Sequence, residues 1–161
     1  MRISAFAGLF CLLLNACMPN KGVKVSCLKS LIDSLKIDTT KNILIYTINP
    51  NDCISCINGF KTINNTLAEA NNPKLYIFSV DREIEKEAIL KSNPDLELLS
   101  ISNESICWSR ELFLAVNRYT KNNVALSVIT IYNYKADSIV YSKPIREVSN
   151  ENEIKSLLNT N

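Results

Sequence analysis

Cys53 and Cys56 are the two side chains whose type and spacing most directly specify a chemistry. Two thiols separated by two residues at the start of a helix come within disulfide reach of each other. The first also lies near backbone N–H groups that lack an intrahelical partner, which favours a thiolate. The chemistry expected is thiol–disulfide exchange, with Cys53 attacking and Cys56 resolving. The chain has no histidine. That excludes a Ser-His or Cys-His catalytic pair and any imidazole metal site.

The elements that must position this pair flank it. Ile43–Ile48 is a near-continuous β-branched and aromatic run, as expected of a strand buried on both faces. After the turn-prone Asn49-Pro50-Asn51-Asp52, apolar residues at Cys56, Phe60, Ile63, Leu67 and Ala70 predict a helix over 53–70. Cys56 then falls on the buried stripe and Cys53 at the partly exposed helix mouth. Gly59 inside this helix costs about 1 kcal/mol relative to alanine. Asp52 suits an N-cap, while its charge beside Cys53 opposes thiolate formation.

Helical spacing of Leu28, Leu31, Ile32 and Leu35 predicts a short helix over 26–36, and residues 75–80 form a second apolar strand. A charged surface helix is expected over 81–91, with Ile84, Ala88 and Leu90 as a thin apolar side, and a short extended piece over 97–101. Trp108, Leu112, Ala115 and Tyr119 predict a helix over 104–119 that carries Cys107 in its first turn. Residues 124–132 and 138–141, joined by a short polar segment, read as a β-hairpin, and 150–158 as a terminal helix. Parallel βαβ followed by an antiparallel hairpin implies an α/β domain with a mixed central sheet and helices on both faces.

The N-terminus belongs to another kind of segment. Arg2 precedes an apolar run over 3–14, too short to span a bilayer and shaped like an export signal. Leu14-Asn15-Ala16-Cys17 resembles a bacterial lipobox, which implies removal of 1–16 and acylation of Cys17; the alternative is an ordinary secretory signal cleaved elsewhere. Residues 17–25, polar and containing Pro19 and Gly22, would be a tether, and 26–161 one domain. With 18 basic and 16 acidic residues, nothing in the charge balance suggests nucleic acid or an anionic surface as a partner.

Of six cysteines, Cys11 would leave with the signal and Cys17 would carry lipid. Cys27, Cys53, Cys56 and Cys107 remain, in a space where disulfides persist. Proximity favours Cys53 with Cys56. Cys27 and Cys107 are then either a second bridge or buried small apolar groups. A thiolate metal site is not expected in that compartment without histidine.

In topology, and in placing a C-x-x-C pair at a strand-to-helix junction, residues 41–158 resemble the thioredoxin-like superfamily. The extra helices between Leu75 and Tyr119 resemble its lipid-anchored or periplasmic thiol-disulfide reductase branch. The resemblance implies a three-layer sandwich, Cys53 as nucleophile and Cys56 as resolving thiol. It further implies attachment to the bacterial envelope through Cys17, facing the periplasm, with envelope protein thiols or disulfides as partners and no cofactor. The sequence also departs from the family pattern. Asp52 stands where relatives carry an aromatic residue, Ile54-Ser55 lie between the cysteines, and Ile43–Ile48 contains no carboxylate. Residues 124–128 lack the family's cis-proline; Ser127 is its positional equivalent and the candidate substrate-binding residue. Because a cis peptide before a non-proline residue costs about 3 kcal/mol, that loop is expected to run trans. Two readings stay open: a membrane-tethered thiol-disulfide oxidoreductase, and a non-catalytic lipoprotein whose thioredoxin-like domain is a binding or scaffold module with a structural disulfide.

Overall fold

A computed structural model describes residues 26–52, 54–67, 70–92, 105–119 and 126–159, and of residues 26, 27, 54–58, 61, 92 and 119 the backbone alone. Helix α1 (Ser26–Ser34) leads to strand β1 (Ile43–Ile48), helix α2 (Ile54–Thr66) and strand β2 (Lys74–Phe78). Helix α3 (Glu83–Ser92), strand β3 (Ser105–Trp108) and helix α4 (Arg110–Tyr119) follow. The chain continues through strands β4 (Val128–Asn133) and β5 (Ser138–Pro144), a 3-10 turn (Ile145–Glu147) and helix α5 (Glu151–Leu158).

The domain is α/β with one five-stranded mixed sheet, ordered β3-β2-β1-β4-β5. β1 pairs parallel with β2, and β2 with β3; β1–β4 and β4–β5 are antiparallel. As the continuous apolar run required, every residue of the central strand β1 is buried. Its side chains divide by the period of two that a pleated strand imposes. Leu44, Tyr46 and Ile48 join a cluster with Phe60 and Ile63 of α2 and Ile154 and Leu158 of α5. Ile43 and Ile45 join a second cluster with Leu28, Leu31 and Ile32 of α1 and Leu112, Phe113 and Val116 of α4. In the first, the Tyr46 and Tyr76 rings stack at 5.1 Å and Phe60 meets Tyr46 edge-on at 5.2 Å. Aromatic pairs in such geometry add to simple area burial.

The expected helix over 104–119 is two elements. Residues 105–108 pair with β2, and Trp108 stacks on Phe78 at 4.5 Å. Helical spacing through Trp108 was overridden because the neighbouring strand offers its backbone a ladder and its ring a partner. Cys107 therefore lies in a strand. The thin apolar side of α3 also differs from expectation. Leu90 packs on the first cluster as expected, but Ile84 is 68% exposed and Ile89 takes its place against that cluster. The extended piece expected over 97–101 lies outside the described residues.

Asparagines tie the ends of elements together. The Asn42 side-chain amide donates to the Leu157 carbonyl at 2.9 Å, and that of Asn72 to Leu158 at 3.2 Å. Carbonyls at a helix C-terminus have no intrahelical donor, and here the loops at the opposite end of the sheet from residue 52 supply one. Asn150 caps the start of α5 by accepting from the Asn152 N–H at 3.0 Å.

Candidate functional site at the end of strand β1

β1 runs out at Ile48 into a loop whose fold is written in its own side chains. Asn49 Oδ1 accepts the Asn51 N–H at 3.0 Å, and the Asn49 carbonyl accepts the Asp52 N–H at 3.0 Å. These are the local bonds that make asparagine a turn former. The chain then enters α2, in whose first turn the Cys56 backbone falls.

Facing this loop is Ser127, the residue just before β4, and it is 3% exposed. Its backbone N–H donates to Asp52 Oδ2 at 2.8 Å, and its Oγ accepts the Asn49 N–H at 3.0 Å. Its carbonyl accepts the Ile145 N–H at 2.9 Å. The residues on either side are held as well. Asn117 of α4, itself fully buried, donates to the Leu126 carbonyl at 2.9 Å. Thr47 Oγ1 lies 2.7 Å from Asn117 Oδ1 and 3.3 Å from the Val128 carbonyl. The approach to β4 is thus fixed from β1, from α4, from the loop before α2 and from the 3-10 turn. A buried segment held this fully has one conformation, since each bond broken leaves a desolvated polar group.

The sequence-derived site residues fare differently. Ser127 does lie against the loop that leads to Cys53. Its backbone groups, though, are already used inside the chain, so its observed role is to join that loop to β4. Among the described residues there is no cis peptide bond, and the segment at Ser127 runs trans. Cys17, Cys53 and the side chains of Cys27 and Cys56 lie outside the described residues; Cys27 contributes its backbone to α1 and Cys56 to α2. The exposed-and-buried asymmetry expected of the pair falls there too.

Cys107 carries a free, buried thiol. Burial pushes it up to about 11, so it is neutral at physiological pH and a poor nucleophile or metal ligand. Its surroundings are those of a buried small apolar group; the second bridge to Cys27 involves a side chain outside the described residues. No cluster of three or more His, Cys, Asp or Glu side chains suited to a metal ion occurs among the described residues.

Two participants escaped the sequence. Thr47 and Asn117 are 70 positions apart, and only the tertiary fold brings them together. A polar residue within an otherwise apolar stretch is the one signal that could have marked each, because a buried polar group needs a partner. Comparison with family models gave no match, and comparison with curated proteins gave none either.

Proposed function

We propose that this chain is a thioredoxin-like, three-layer domain acting as a membrane-tethered thiol-disulfide oxidoreductase of the bacterial envelope. The observation that carries the reading is the path of the chain around β1. β1 is central in the order β3-β2-β1-β4-β5, and the helix that follows it has Cys56 in its first turn. The residue before β4 bonds to the loop that precedes the cysteine pair. The two core clusters support the layering, since α2 and α5 pack with one set of β1 side chains and α1 and α4 with the other. Cys17 would carry the lipid.

In this reading the Cys53 thiolate attacks a disulfide of an envelope protein. A mixed disulfide forms, and the partner's other sulfur leaves as a thiolate. Cys56 then attacks the mixed disulfide, which releases the reduced partner and leaves Cys53 and Cys56 joined. Two electrons pass to the partner and no cofactor is needed.

One observation favours a second reading, a non-catalytic binding or scaffold module with a structural disulfide. Both backbone hydrogen-bonding groups of Ser127 are taken within the chain, which leaves none at that residue for an extended substrate. A redox titration of the Cys53/Cys56 pair separates the two. A working couple exchanges within the poise of its partners, whereas a structural bridge has a potential below about −300 mV. Trapped mixed disulfides in cells carrying Cys56→Ser would support the enzyme; a potential in the structural range with nothing trapped would reject it.

A further inference from the structure

The C-terminal ends of the three parallel strands enclose a cleft of about 300 Å³, lined by residues that include Asn49, Asn51, Ser79, Asp81, Arg110 and Phe113. Its rim is fixed by backbone bonds across the strand ends: Ser79 N–H to Ile48, Ser109 N–H to Phe78 and Arg110 N–H to Val80. Phe113 is 1% exposed and gives the cleft an apolar wall. Crevices outside the carboxyl ends of strands are where open α/β sheets bind ligands, and this volume is at the small end of such sites.

Three charged side chains line the cleft, Asp81, Glu85 and Arg110, and Glu85 is engaged by Arg82 at 2.6 Å and by the Asp81 N–H at 3.1 Å. Arg110 Nη1 donates to Asp81 Oδ2 at 2.9 Å, with both side chains about half exposed. Among the described residues the guanidinium uses one of its five donors, in this bond to Asp81. The Ser79 hydroxyl and the Asn51 amide make no side-chain hydrogen bond among the described residues, although both line the cleft. A half-exposed ion pair is weakly held, so a ligand can share it without much loss. Adjacent fixed charges of opposite sign are the complement of a molecule whose own opposite charges are adjacent. An α-amino acid has that arrangement, with ammonium and carboxylate on one carbon.

From this arrangement we infer that the cleft binds a small free α-amino acid zwitterion, with its carboxylate on the open edge of Arg110 and its ammonium on Asp81. Ser79 and Asn51 meet a short polar side chain. The site does not depend on the cysteine pair, and it would stand if thiol exchange failed.

The test is titration of the full, ¹⁵N-labelled chain with L-serine, followed by the backbone amide resonances of Ser79, Asp81 and Arg110. Saturable shifts are expected. L-Lactate, which lacks the ammonium, and ethanolamine, which lacks the carboxylate, should each bind at least about tenfold more weakly, one charge-assisted contact being worth that much. Arg110→Ala and the near-isosteric Asp81→Asn should each lose at least about tenfold in affinity, and Arg146→Ala, which removes a cation elsewhere, should not. Absence of saturable shifts with L-serine overturns the inference. Equal binding of lactate or ethanolamine overturns it too, as does undiminished affinity in both cleft variants or an equal loss in Arg146→Ala.

Discussion

The carboxylate of Asp52 accepts the backbone N–H of Ser127 across 2.8 Å, joining the residue before the cysteine pair to the residue before β4. The bond is part-buried and its acceptor is charged, the kind of hydrogen bond worth most to stability. Replacing Asp52 by alanine should cost about 2 kcal/mol in urea unfolding, while asparagine, which keeps a carbonyl acceptor, should cost less than half of that. Asp52→Asn also removes a negative charge beside Cys53, so half-maximal alkylation of Cys53 should move to lower pH. An unchanged pH–rate profile would mean that the charge is not felt at the thiol.

Gly59 is where α2 approaches the 3-10 turn. A Cβ there would stand 3.1 Å from Ile145 Cγ2, and Ile145 is buried. The gain of about 1 kcal/mol that alanine normally brings to a helix interior should therefore vanish or reverse. Gly59→Val should lose about 1–3 kcal/mol. Removing that Cγ2, as in Gly59→Ala with Ile145→Ala, should be more stable than the two single costs add up to, which a double-mutant cycle would read directly.

Buried Asn117 joins Thr47 of β1 to Leu126. Asn117→Leu has similar bulk and no polar group, so it strands the Leu126 carbonyl without opening a cavity. Unfolding should show a loss of about 1–3 kcal/mol, and hydrogen exchange at Ser127 and Val128 should quicken more than in the middle of β4. Uniform quickening would mean that Asn117 does not act locally.

Burial raises the Cys107 thiol from an ordinary value of 9.0 to about 11. A pKa raised on folding contributes stability that is fully present below about pH 9 and is lost as pH climbs through about 11. The amount is on the order of 2–3 kcal/mol. Tyr141 shifts in the same direction, chiefly by burial and then by the nearby Glu153, so the comparison must be differential. Wild-type stability should fall more steeply above pH 9 than that of Cys107→Ala. Parallel curves would show that the thiol does not titrate with folding.

Much of this fold is readable wherever one physical demand dominates. Ile43–Ile48 has the continuous apolar character of a strand buried on both sides, and Phe60 and Ile63 mark the face α2 buries, with Leu67 just past its end. The hairpin and α5 announce themselves through polar turns and an asparagine cap. β3 was hidden because four residues carry too short a pattern, and Trp108 also fits the helical spacing of the residues after it. What lies at the end of β1 was half visible. Ser127 could be matched to the approach to β4, yet its bonds to Asp52 and Asn49 span 75 and 78 positions. No local pattern encodes such contacts. The same holds for the cleft, whose Arg110–Asp81 pair spans 29 positions and reads in sequence as two ordinary surface charges.

The central claim is that Cys53 performs disulfide exchange, and it is tested most directly by insulin disulfide reduction with the full chain and dithiothreitol as electron source. The account predicts that the wild-type chain accelerates insulin precipitation and that Cys53→Ser falls to the rate of dithiothreitol alone. Equal rates for the wild type and Cys53→Ser would contradict it.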